Sequence, residues 1–233
     1  MTGSLWLAAI SVLVFVASHI ILSAPPVREP LIARLGARGF QGAYSVLSLL
    51  LIVWVVMAYN DAPYVSVWQP PVWIRHLALT LMLFSCILVV AGMTTPSPTA
   101  VAGADGGSGL AGRGPVGMQK VTRHPMMWGV AIWGVAHLLA NGAAADVLLF
   151  GGMTVLALAG AYGIDVKKRA SLGSAWTGFA QKTSFVPFAA TIQRRNRVSL
   201  GEIGWWRLAL GVALYAVLLW AHQWLFGVSP VAV

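Results

Sequence analysis

The sequence predicts an all-α fold, a polytopic membrane bundle of about six transmembrane helices. Three observations predict it. Hydrophobic residues make up 58% of the 233-residue chain and charged residues only 9%, against roughly 25% charged in a typical soluble domain. So few charges cannot form a water-facing shell. The apolar residues arrive in blocks near the length that a ~30 Å hydrocarbon core requires. Lys and Arg alternate between the loops that join those blocks.

The first block, Leu5–Ala24, lacks the basic leader of a cleaved signal peptide and holds a polar Ser18-His19 pair. It reads as a retained span. The second and third are Ala43–Tyr59 and Val72–Met93. The fourth, Met126–Ala140, and the fifth, Val147–Gly163, are short and meet at Asn141-Gly142. They read as a helical hairpin that is tilted or shielded by protein. Gly151, Gly152, Ala157, Gly160 and Ala161 let neighbours approach the fifth closely. The sixth is Trp205–Phe226, with tryptophans near its ends as in an aromatic belt.

The loop charges give an orientation. Loop 1–2 carries Arg28, Arg34 and Arg38, and loop 3–4 carries Arg113, Lys120 and Arg123. Loop 5–6 carries Lys167, Lys168, Arg169, Lys182, Arg194, Arg195 and Arg197, whereas the even loops hold only Arg75. By the positive-inside rule the odd loops are cytoplasmic and both termini are periplasmic in a bacterial inner membrane. The net charge of +9 then reflects insertion and anionic lipid headgroups, with no need for nucleic acid. The single cysteine, Cys86, excludes an internal disulfide framework and a Cys-cluster metal site.

The chain reads as one membrane domain over 1–233 with two distinctive loops. Residues 94–122 have a Gly/Ala-rich centre too poor in bulky side chains to fold alone. In 164–204, Trp176, Phe179, Phe185 and Phe188 interleave with basic residues. That pattern suits an amphipathic segment on the inner membrane surface, or a lid over a lipid-facing site.

Ionisable groups in hydrocarbon are functional candidates. At 1.5 Å per residue, His19 lies about 21 Å along the first span and His137 about 16 Å from the inner edge of the fourth. Their depths then differ by only about 7 Å. Neutral imidazole is a usual ligand for haem iron, so the pair is a candidate iron site. Cys86, at a similar depth, is a weak alternative ligand, since a buried Cys is usually a small hydrophobe. His76 and His222 fall near the outer interface. Arg123 and His124, just before Pro125 at the start of the fourth span, are the candidate catalytic residues. Arg123 is suited to a lipid phosphate or a substrate anion, or simply to fixing topology. Asp165, followed by Lys167-Lys168-Arg169, reads as a local ion-pair partner.

Several motifs together resemble a known family. They are Ser18-His19, Arg34-Leu35-Gly36, Arg38-Gly39-Phe40, Tyr44-Ser45 and Ala62-Pro63. The most specific stretch is Val121-Thr122-Arg123-His124-Pro125, followed by Trp128-Gly129, Trp133 and His137-Leu138-Leu139-Ala140-Asn141-Gly142. Thr183-Ser184-Phe185-Val186-Pro187-Phe188 closes the match. The chain thereby resembles the NnrU family. Its bacterial members are linked to nitrite and nitric oxide reduction in denitrification, and its plant and cyanobacterial relatives are 15-cis-ζ-carotene isomerases. The resemblance implies haem b held by two histidines, one in the first span and one following the Arg-His-Pro histidine. In this chain those are His19 and His137, the pair that depth also selects. It further implies a redox-dependent cis–trans isomerase acting on a lipophilic polyene, with membrane lipid and a redox partner around it. A non-catalytic haem or nitric oxide-responsive factor supporting nitrite and nitric oxide reduction is one alternative. A membrane methyltransferase is the other, since an Arg-His-Pro triplet also occurs in isoprenylcysteine methyltransferases, although their later cofactor motif is not found here.

Overall fold

The structure, a computed structural model, describes residues 3–99 and 114–231. The centre of the Gly/Ala-rich loop, 100–113, lies outside the described residues. Among those described, regular structure is helical. Helix α1 spans Leu5–Ser23, α2 Pro25–Asp61, α3 Val72–Thr94, α4 Pro125–Ala140 and α5 Ala144–Gln181. Short α6 (Ala189–Ile192) and α7 (Leu200–Ile203) precede α8, Trp205–Phe226. Five of these helices are long and apolar enough to cross a membrane, and α4 is a shorter apolar helix of 16 residues. The chain is a multi-pass membrane protein. Large apolar side chains such as Trp6, Leu50, Trp220 and Trp224 are exposed, as expected where lipid is the solvent and the backbone is satisfied within helices.

The termini of the helices follow their sequences. The Ser4 side chain accepts from the Leu7 amide to cap α1, and Pro125 opens α4, where its missing N–H is not needed. Two elements differ from the sequence reading. Helix α2 begins at Pro25 rather than near Ala43, because the polar stretch carrying Arg28, Arg34 and Arg38 is itself helical. The break falls at Gly36, whose φ of 72° is one that glycine adopts at little steric cost. Helix α5 likewise runs past Gly163 to Gln181, departing from helical geometry at Gly173.

The large helices form a row. Helix α2 packs on α1, α1 on α5, α5 on α4, α4 on α3, and α3 on α8; α2 also touches α5. Close approach of α3 and α4 is visible at Ser85, whose hydroxyl donates to the Gly129 carbonyl at 2.7 Å. At one end of the row, which we call the far end, the α4–α5 turn pairs with the α2–α3 connection. Val67 donates its amide to the Gly142 carbonyl, and Ala144 donates to Val65. The opposite, basic end carries Arg123, Lys167 and the segment 182–204. At the far end Tyr59 donates to Asp146 at 2.6 Å, and the other Asp146 oxygen accepts the Ala143 amide. Removing the hydroxyl in Tyr59→Phe is expected to cost about 1 kcal/mol, the scale of interhelical hydrogen bonds in membranes. The shift of the unfolding midpoint in detergent checks it.

Candidate functional site

Two polar clusters stand out, one at each end of α4. At the basic end, Val121–His124 lies alongside 184–188. Arg123 donates its amide to Ser184, Phe188 donates to Val121, and Thr122 Oγ1 donates to the Phe185 carbonyl at 2.7 Å. Trp128 Nε1 also donates to the Phe185 carbonyl, at 2.8 Å. The start of the most specific stretch and the run that closes the match are therefore one structural unit.

Inside this unit Asp165 of α5 receives two partners from the start of α4. The Arg123 guanidinium donates Nε and Nη2 to the carboxylate, at 2.9 Å and 2.5 Å to Oδ2. His124 Nε2 donates to Oδ1 at 2.6 Å. The His124 side chain is fully buried, and the other two are nearly so. The Arg123 guanidinium also lies 5.8 Å from the Trp176 ring centroid. Asp165 thus forms an ion pair across two helices rather than with the adjacent basic run. Lys167 instead reaches the Ser23 carbonyl at the end of α1. Nδ1 of His124 has no hydrogen-bond partner among the described residues, and His124 borders a cavity of about 20 Å³ with Ser97 and Thr99. That is room for a single water.

The aromatic residues of 164–204 do not form a membrane-surface stripe. Trp176 and Phe179 are among the most buried side chains, and Phe185 packs edge-on against His124 and Trp128. Of the four, Phe188 is exposed. The segment is a folded cap over the Arg123–His124–Asp165 network. Apolar burial against that network explains the aromatic content as well as lipid anchoring would.

At the far end, His137 lies one turn before the end of α4. Its Nδ1 contacts the Trp133 carbonyl at 2.8 Å, and its ring stacks on Phe150 with centroids 4.6 Å apart. A carbonyl can only accept, so Nδ1 carries a proton, and in the neutral ring Nε2 then keeps the lone pair. The ring lines a cavity of about 220 Å³ shared with Arg75, Ala78, Asn141, His222 and Ser229. His19 has the same local chemistry. Its Nδ1 contacts the Phe15 carbonyl at 2.7 Å, and its ring meets Phe15 and Tyr44.

The structure does not bring His19 and His137 together. Helices α1 and α4 each pack on α5 rather than along one another. A side chain on Gly152 would press on Val12, which sets α1 in register with α5. His19 then falls level with about residue 158, roughly 12 Å along α5 from Phe150, where His137 rests. The near-equal depths expected from sequence measured each histidine from its own span's end, whereas the packing of α1 and α4 on α5 offsets the two along the bundle, with His137 close to the far end. Cys86, buried in α3, is seven residues beyond Leu79 of the cavity wall, about 10 Å away. His76 is exposed on α3.

His137 thus borders a cavity and points its Nδ1 at a backbone carbonyl, as a ligating imidazole does, and His19 shares that ring arrangement. Sequence reasoning missed His222 as a neighbour of His137, their centroids being 6.4 Å apart. The available signal was that each histidine lies about one turn from the end of its helix. Asp146 was also missed, being placed at a span boundary.

Comparisons with known proteins give the family of the chain. A family model described as NnrU protein matches residues 7–230. The chain is 35% identical over 82 residues to 15-cis-zeta-carotene isomerase, chloroplastic, of Zea mays, covering 35% of this chain and 22% of that protein. It is 34% identical over 82 residues to the Arabidopsis thaliana protein of the same description, covering 34% and 22%. The match thus spans about a fifth of the length of these curated relatives. No solved structure matches the chain.

Proposed function

The chain belongs to the NnrU family, and from that premise we propose that it is a membrane isomerase acting on the double-bond geometry of a lipophilic polyene, with haem b as cofactor. The observation that carries this reading is His137, an imidazole with a free Nε2 beside a cavity and an aromatic wall of Trp133 and Phe150. Partial similarity to two carotene isomerases points to a carotenoid-like substrate. Haem iron, when bound, supplies a centre whose Lewis acidity and vacant coordination change with oxidation state.

The residues of this chain do the rest. The Trp133 carbonyl fixes the His137 tautomer and ring direction. Trp133 and Phe150 keep water from the lipid-facing wall. Arg123 and His124 hold the first turn of α4 to Asp165 and so set the position of His137 three turns away. In this reading they are positioning residues, and His124 Nδ1 is left without a hydrogen-bond partner among the described residues. An electron donor in the same membrane is the implied partner. The basic end faces the cytoplasm of a bacterial inner membrane, both termini being periplasmic.

The test is a visible spectrum of protein purified from haem-replete cells, before and after dithionite. A Soret band with sharp reduced α and β bands is expected, and His137→Ala should abolish the low-spin spectrum. A featureless wild-type spectrum overturns the haem. Reduced haem protein should convert 15-cis-ζ-carotene. Haem binding without conversion would favour a non-catalytic factor in nitrite and nitric oxide reduction.

A further inference from the structure

We propose that the one-turn helix α6 and its flanks form a lipid-inserting knuckle, which seats the cap on acidic phospholipid in the leaflet at the basic end. Three apolar side chains stand exposed on it: Val186 is 54% exposed, Phe188 52% and Ile192 78%. They are a different set from Trp176 and Phe179, which are buried. Ala190, between Phe188 and Ile192, is fully buried. A single exposed apolar residue needs no explanation, but three gathered in the run 186–192 are more than scatter.

The backbone builds this surface against its own preference. Phe188 (φ 63°) and Arg194 (φ 57°) flank α6, and they are the non-glycine residues with positive φ among the described residues. A side chain with a Cβ disfavours the left-handed conformation, which persists where the surroundings over-determine it. Phe188 donates its amide to Val121 at 2.7 Å, and its carbonyl accepts from the Ile192 amide at 2.9 Å. Ala190 donates its amide to Ser184 Oγ at 3.0 Å. The Asn196 side chain ties the other flank to the Lys120 and Lys182 carbonyls. Phe188 and Ile192 are thus held exposed on a tied-down backbone, an arrangement that gains nothing in water.

Depth and charge identify the occupant. Helix α5 runs past Asp165 to Gln181, but the chain then returns. Arg123, the partner of Asp165, donates its amide to Ser184, and Trp128 in the first turn of α4 donates to the Phe185 carbonyl. The knuckle therefore follows directly from a segment beside the first turn of α4, where the apolar span ends. Lys182, Arg194 and Arg197 are exposed, and the ion pairs among the described residues include none of them. The run 182–201 contains no Asp or Glu. Arg195 is already engaged by carbonyls at the end of α5. An apolar tip with unpaired cations beside it matches an interface where hydrocarbon meets anionic headgroups. A water-borne protein partner would have to reach the same depth. This inference stands apart from the haem reading.

The experiment places the full chain in vesicles of phosphatidylcholine, with and without phosphatidylglycerol. A nitroxide is attached at Ile192→Cys and, as a reference exposed on a spanning helix, at Val53→Cys. Wild type is the labelling blank, because its one cysteine, Cys86, is buried. Collision with oxygen, which concentrates in hydrocarbon, is compared with collision with a water-soluble nickel chelate. The label at 192 should favour oxygen, as the label at 53 does, and more strongly with phosphatidylglycerol present. Adding Lys182→Gln, Arg194→Gln and Arg197→Gln together should abolish that gain. A label at 192 that favours nickel overturns the proposal. So does one shielded from both reagents, which would mean that a protein partner or a second copy covers the knuckle. An equal preference in the two kinds of vesicle, or a gain that survives the triple substitution, overturns acidic lipid as the occupant.

Discussion

Replacing Asp165 by Ala should destabilise the protein by about 3–5 kcal/mol, the cost of leaving a buried charge without its partner. The Arg123 side chain is only 13% exposed and that of His124 not at all. Removing the carboxylate strands a guanidinium between Trp176 and the cap, and leaves His124 Nε2 without its acceptor. The measurement is the unfolding midpoint in detergent, with cap opening followed by proteolysis between 182 and 204. The double variant Arg123→Met/Asp165→Leu should recover much of the loss, because an apolar pair of similar volume carries no desolvation cost. If Asp165→Ala unfolds like wild type, the ion pair does not hold the cap.

The second large effect is expected at Gly92. A Cβ added there would lie 2.5 Å from the Met126 backbone nitrogen and 2.9 Å from its Cα. Backbone cannot turn aside as a flexible side chain can, so Gly92→Val must push α3 away from the first turn of α4. Overpacking of this kind costs about 1–3 kcal/mol, and here it also moves the turn that holds His124. Gly151→Ala is the control, since nothing lies within 4 Å of the added atom. It should be neutral in the same unfolding assay, and a Gly92→Val protein as stable as Gly151→Ala would show that the two helices are not tightly apposed.

Much of the fold was legible because apolar block length is a direct response to bilayer thickness. The blocks from Leu5, Val72, Met126 and Trp205 correspond closely to α1, α3, α4 and α8. What was not legible is helix beyond the apolar block. Arg28–Arg38 and 164–181 are polar enough to read as loop, yet their backbone continues to satisfy itself as helix. At the site, Arg123, His124 and Asp165 were each singled out, but Asp165 was matched with Lys167–Arg169. Sequence neighbours supply the simplest ion pair, whereas the observed one spans 42 residues and depends on how α5 lies against α4. His137 was found from depth and motif. His222 was placed at the outer interface but not paired with it, because His137 was counted to mid-membrane and which helices adjoin one another is not written in the apolar blocks.

The row arrangement has a consequence for traffic. A closed ring of helices would seal its centre from lipid and would need a gate. A row of large helices presents two broad sides to hydrocarbon. An oil-soluble molecule can therefore slide sideways from the leaflet to either side of α4 without meeting water. Encounter becomes a two-dimensional search, set by the concentration of the molecule in the bilayer rather than in solution.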